Sequence, residues 1–151
     1  MRIYLDCCCY NRPFDDLTQE RIRIESETIM WVLKEGQSGN CEIIASAALS
    51  SEISRISNIE RQQNVMRLYQ IAGNYVNFTE NIKRRAEKIR SISRIQTFDS
   101  YHIASAEEAN ADVLLTTDDK LVRMAARIKL SVKVMNPLQF LSKAMYGGDF
   151  E

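Results

Sequence analysis

The chain has 151 residues, with 20 Lys and Arg against 20 Asp and Glu, so it carries no formal net charge. That length suits one domain with a radius of gyration of about 15 Å that buries roughly 70% of its unfolded surface, and charge neutrality leaves nucleic-acid binding open because patches matter more than totals. Asp6 arrives before any apolar leader, and no run approaches the ~18 apolar residues of a membrane span, so the expected location is the cytoplasm with no membrane association.

Met1 to Leu5 is short, apolar and partly β-branched, and reads as a buried strand ending at Asp6. Cys7, Cys8 and Cys9 follow. Three adjacent cysteines make a poor disulfide framework, and on a strand their side chains would alternate faces and could not share one metal. With Cys41 they read as reduced thiols acting as small hydrophobes, with a redox role as the second reading. Asn11 to Asp16 reads as a loop punctuated by Pro13.

A helix is expected from Thr18 to Glu35, with Ile22, Ser26, Ile29 and Leu33 on one face and Gly36 as its stop. Cys41 to Ala45 reads as a second strand. Helices are expected over 47–57, with Leu49, Ile53 and Ile56 inward, and over 59–75, with Val65, Leu68, Tyr69 and Ala72 in register. Val76 to Phe78 reads as extended. Thr79 caps a helix to Ser93, and Phe98 to Asn110 forms another, rich in small residues. Val113 to Leu115 is a third strand. Asp118 or Asp119 opens a helix to Ile128, Val132 to Met135 is a fourth strand, and Pro137 starts a last helix to Met145. Apolar strands separated by helices predict an α/β fold on a parallel sheet of about four to five strands. One domain over 1–146 and a flexible tail over 147–151 are expected.

In open parallel sheets ligands bind outside the carboxyl ends of the strands. Asp6 lies directly after the first strand and Asp118 just after the third, so two acids reach the same rim. Glu52 lies beside the apolar stripe of its helix, three residues after Leu49, where a carboxylate must reach solvent, pair with a base such as Arg55, or bind a cation. Asp99 begins a helix, with His102 on the same side one turn later. As a plain helix cap it would need no partner. His102 is the only histidine and reads first as a packing residue, second as a ligand or proton-transfer group. Clustered carboxylates repel one another without a cation, and hard oxygen ligands suit Mg²⁺ or Mn²⁺. Such a site activates water against a phosphodiester. Thr116 and Asn11 are candidate supporting residues.

The ordered set Ile3-Tyr4-Leu5-Asp6 through Asp16, Ser50-Ser51-Glu52-Ile53, Asp99-Ser100-Tyr101-His102 through Ala106, and Ala111-Asp112 through Asp119 resembles the PIN-domain nucleases, in particular VapC-like toxin ribonucleases. The resemblance implies a PIN-like three-layer α/β fold. It also implies a metal site on Asp6, Glu52, Asp99 and Asp118, with the family's hydroxyl position on Thr116 and the last acid at Asp118 by a Thr-x-Asp pattern. The residue after the first Asp, usually Thr or Ser there, is Cys7. By the same resemblance the substrate is RNA and the partner a cognate antitoxin. Alternatives are a PIN-like module that binds RNA or protein without cutting, a housekeeping RNA-processing nuclease and a DNA-directed one. A Walker-type glycine loop is absent, as is the second Asp that a haloacid-dehalogenase-like phosphatase shows two residues after the first.

Lys83, Arg84, Arg85, Lys88, Arg90 and Arg94 crowd one predicted helix. They read as a solvated face, with Arg84, Arg85 and Lys88 as the candidate RNA-backbone contacts. Met30, Trp31, Met66 and Tyr69 read as core, with a homodimer or antitoxin groove as the second reading.

Overall fold

A computed structural model of the protein describes residues 1–147. Its strands are β1 Arg2–Leu5, β2 Glu42–Ser46, β3 Asn74–Val76, β4 Val113–Leu115 and β5 Lys133–Met135. Its helices are α1 Cys7–Asn11, α2 Glu20–Gln37, α3 Ala47–Ser54, α4 Ile59–Tyr69, α5 Glu80–Ser91, α6 Thr97–Glu108, α7 Asp119–Ala125 and α8 Pro137–Tyr146. The strands form one parallel sheet in the order β3-β2-β1-β4-β5, flanked by helices as expected. Ile3, Tyr4, Leu5, Ile44 and all of β4 are buried, as apolar strands covered on both faces must be.

The chain builds outward from β1 through β2 to β3, then returns to lay β4 on the other side of β1. The order therefore reverses at β1, which opens a crevice at the carboxyl ends of β1 and β4. Leu5 pairs with Leu115, and the ladder runs one rung further because the Asp6 N–H donates to the Leu115 carbonyl at 3.0 Å. Asp6 and Thr116 thus leave the sheet side by side.

Four local expectations are corrected. Cys7 to Cys9 lie on a helix, not a strand, because the Asp6 side chain accepts from the Cys7 N–H and caps α1. The segment after α1 is a 3₁₀ turn, Arg12–Phe14, rather than open loop. Gly36 does not stop α2 but sits inside it. A Cβ there would lie 2.6 Å from Ile43 Cγ1, so the glycine allows α2 to approach β2 closely. The helix expected to reach Tyr75 ends at Tyr69, and β3 takes its tail after the Gly73 N–H donates to the Ile43 carbonyl at 3.0 Å. This edge strand exposes Asn74 and Tyr75 and so lacks the apolar run of a buried strand.

The thiols are free, and burial pushes those of Cys7, Cys9 and Cys41 up, keeping them protonated. Of the aromatic and Met positions read as core, Tyr69 is buried, but Met30, Trp31 and Met66 are exposed. Gly147 closes α8 in the left-handed conformation, and the rest of the expected tail, 148–151, lies outside the described residues. No helix among the described residues is long and apolar enough to cross a membrane.

Candidate metal centre and active site

Asp6 is 5% exposed, and its carboxylate is held from several sides. Oδ1 accepts from the Cys7 N–H at 2.7 Å, while Oδ2 accepts from the Thr116 hydroxyl at 2.9 Å and from the Cys8 thiol at 3.4 Å. The thiol that reaches this acid is therefore Cys8, whereas Cys7 Sγ lies 3.5 Å from the Asn11 amide. These donors fix the carboxylate without neutralising it.

Glu52 enters from α3, whose first turn is capped by the Ser46 hydroxyl. It does not pair with Arg55, among the described residues. Its Oε1 lies 2.6 Å from His102 Nε2. His102 is fully buried on α6, with Nδ1 2.7 Å from the Tyr4 hydroxyl, which in turn lies 2.7 Å from Ser46 Oγ. His102 Nε2 is also 3.7 Å from Asp6 Oδ1. Burial by itself would lower the imidazole pKa. The Glu52 hydrogen bond and the charges of Asp6, Glu52 and Asp99 outweigh it and raise the group above its ordinary value. His102 thus packs against Tyr4 and Phe98, as expected, and is also a polar bridge between the sheet interior and an acid. A lone histidine three residues after Asp99 was the available signal, but its Tyr4 partner is a tertiary contact no local pattern shows.

Asp99 stands in the first turn of α6, inside the helix rather than at its cap. Burial and the charge of Asp6, with smaller contributions from Asp118 and Glu52, raise its carboxyl to about 7 although His102 pulls the other way. Asp118 is exposed and caps α7, accepting from the Lys120 and Leu121 N–H groups at 3.0 and 3.3 Å. Its own N–H donates to Thr116 Oγ1 at 3.1 Å, so one hydroxyl bridges Asp6 and the Asp118 backbone. The neighbouring Asp119 turns away to a two-pronged pairing with Arg21 at 2.7 and 2.8 Å.

At this rim Asp99 feels the charges of Asp6, Asp118 and Glu52. Among the described residues, no lysine or arginine pairs with any of them. Asp6, Glu52 and His102 each bring one potential ligand atom within 4.8 Å of the others. A buried Asp6 beside the half-buried Glu52 and Asp99, with no lysine or arginine partner and with Asp99 raised to about 7 by burial and its neighbours, has the chemistry of a divalent-cation site.

The other candidates lie elsewhere. Asn11 donates to the Cys7 carbonyl and accepts from Arg61, so it joins α1 to α4. On α5, Arg85 is paired with Glu107 at 2.7 Å and also donates to the Lys129 carbonyl, while Arg84 and Lys88 are exposed.

Solved structures similar to this chain include a chain of the VapBC2 complex of Rickettsia felis, crystallised with promoter DNA. It matches with a TM-score of 0.61 and 16% identity over 90% of this chain and 98% of that one. A chain of VapBC-1 from nontypeable Haemophilus influenzae matches with a TM-score of 0.57 and 18% identity, covering 91% and 99%. A toxin–antitoxin complex from Klebsiella pneumoniae gives 0.54 and 16% identity, covering 87% and 98%. At these identities the likeness is one of fold. No curated protein matches the sequence. The PIN domain family model matches residues 40–127, more than half of the chain and the part that carries Glu52, Asp99, Thr116 and Asp118. The chain belongs to the PIN domain family.

Proposed function

We propose that the protein is a Mg²⁺- or Mn²⁺-dependent endoribonuclease, the toxin of a type II toxin–antitoxin pair. The observation that carries this reading is the acid cluster at the sheet's reversal point, built around the buried Asp6 yet without a lysine or arginine partner. Asp6, Glu52, Asp99 and Asp118 would hold the metal, with His102 beside them. The bound metal would activate water and offset negative charge on the phosphoryl group. Thr116 orients Asp6 and the start of α7, the Cys7 N–H fixes the other Asp6 oxygen, and His102 sets the position of Glu52. Asp99, whose carboxyl is raised to about 7, would give up its proton on holding a cation.

Membership of the PIN domain family supports nuclease chemistry, and similar folds solved within toxin–antitoxin complexes support a protein partner. The exposed Met30, Trp31 and Met66 suit such a partner better than they suit a core. One domain over 1–146 carries all of these groups.

The test is cleavage of a labelled single-stranded RNA with Mn²⁺, with Mg²⁺ and with EDTA, alongside thermal melting in each. We expect cleavage only with metal. The melting temperature should rise with Mn²⁺ by several degrees at about 100-fold excess over Kd. A protein that neither cleaves nor shifts at millimolar Mn²⁺ is a non-catalytic binding module instead.

A further inference from the structure

Beside the acids is a recess of about 590 Å³, bounded by α3, α6 and the segment between β3 and α5. That volume falls within the range of small-ligand sites. Its wall is aromatic and its rim cationic. Phe78 is 53% exposed and meets Tyr101 edge to face, with ring centroids 5.6 Å apart. The Arg55 guanidinium lies 5.0 Å from the Phe98 ring centroid, and that of Arg90 lies 5.3 Å from the centroid of Tyr101. Arg90 is partly engaged, donating to Ser100 Oγ at 2.7 Å. The Arg55 guanidinium makes no hydrogen bond or ion pair among the described residues, so its donors are available to a ligand.

The recess adjoins the acid cluster through two elements. On α6, Phe98 directly precedes Asp99, and its ring stacks at 6.3 Å on His102, whose Nε2 touches Glu52. On α3, Ser51 and Arg55 flank Glu52 along the helix, and both line the recess. A strand whose phosphodiester lies at the acids therefore brings a neighbouring nucleotide to these rings.

We infer that this recess binds an unpaired nucleobase next to the scissile phosphate, stacking it against the exposed Phe78 while Arg55, seated on Phe98, meets the adjoining phosphate or the base edge. This rests on the nuclease reading and assigns that substrate a base-binding recess beside the acids. An aromatic wall with a free guanidinium matches a ligand that carries both a π face and an anion. A base inside a duplex is already stacked on both faces and would have to be extruded to enter.

The deciding experiment measures binding of a labelled single-stranded RNA by fluorescence anisotropy in EDTA and low salt, so that no cleavage is needed. The strand is used intact and with one abasic nucleotide stepped along its length. Phe78→Ala should weaken binding of the intact strand roughly 5- to 100-fold, the range of base-on-aromatic stacking. One abasic position should cost the native protein a similar factor and cost Phe78→Ala little, since the shared contact is lost only once. The Mn²⁺ melting shift should persist in Phe78→Ala, separating a lost base contact from a lost acid site. Indifference of the native protein to every abasic position overturns the inference, as does an equal loss by Phe78→Ala on intact and abasic strands. If Phe78→Ala spares strand binding but abolishes self-association in sedimentation, the recess belongs to a second copy of this chain and the inference falls. Failure of the nuclease reading would appear separately, as no metal shift and no cleavage.

Discussion

Two groups of carboxylates gather in this molecule, each around one buried acid, and the fold treats them in opposite ways. Glu25, fully buried on α2, lies 3.2 Å from Arg12 and 3.5 Å from Arg21, and accepts from the Asn136 amide at 2.7 Å. Around it, Asp15 pairs with Arg12 and Arg61, and Asp119 pairs with Arg21. A few residues away along the same rim, Asp6, Glu52, Asp99 and Asp118 have only His102. The first group is neutralised by arginines and serves to tie α2, the 3₁₀ turn, α7 and α8 together. The second is left with a deficit of positive charge that a bound cation would fill. Counting acids does not separate the two; asking which acids lack an arginine does.

The comparison breaks most sharply at Asp99. Asp99→Asn should lower metal-dependent RNA cleavage by on the order of 10³-fold, since a metal's charge stabilisation amounts to several kcal/mol. It should leave far-ultraviolet circular dichroism unchanged. Cleavage at the native rate would remove Asp99 from the site. Next in size, Thr116→Val removes the hydroxyl that bridges Asp6 and the Asp118 N–H. Loss of such a supporting contact typically weakens metal affinity about 10- to 100-fold, which titration calorimetry with Mn²⁺ would read.

The arginine-rich group should respond in stability instead. Glu25→Ala takes the shared partner from Arg12 and Arg21, which keep Asp15 and Asp119, and leaves the buried Asn136 amide without its acceptor, so it should cost about 1–3 kcal/mol in urea unfolding. Mn²⁺ affinity should stay within a few-fold of native. A variant that unfolds normally but loses Mn²⁺ would show that the two groups are not independent.

The smallest effect concerns protons. In metal-free buffer the folded Asp99 carboxyl keeps its proton to about 7, whereas the unfolded chain releases it near the ordinary carboxylate value. Between those pH values the folded state binds more protons, so its stability falls as pH rises, with no penalty at pH 4 and the full penalty above 7. Asp99→Asn removes this dependence and should be more stable than native at pH 8 by about 2 kcal/mol after solvent screening, with no gain at pH 4. Saturating Mn²⁺ should erase the difference, which paired urea titrations would show.

Much of this architecture is readable in the sequence for definite reasons. Leu5 and Leu115 end short apolar runs, so Asp6 and the Thr116–Asp118 turn are placed at strand ends by local pattern alone. Glu52 is visible because a carboxylate interrupts the edge of an apolar helical stripe. What escapes local reading depends on contacts across the fold. His102 looks like a packing residue alone until the Tyr4 hydroxyl, 98 positions away, is brought against its ring. Arg85 looks free until Glu107 closes on it from another helix. The β3 edge escapes because its exposed Asn74 and Tyr75 break the apolar pattern. Arg55 next to Glu52 suggests an ion pair, yet its guanidinium turns to Phe98.

The hydrogen bond from the Asp6 N–H to the Leu115 carbonyl makes the first acid a continuation of the sheet ladder, not part of a loop. Its spacing from Thr116 is consequently an interstrand repeat, about 4.8 Å between neighbouring backbones and among the stiffest dimensions a protein has. Warming or mild denaturant would loosen surface turns well before it altered that repeat. The Asp6–Thr116 contact should therefore be lost as an all-or-none event, coincident with melting of the central strands.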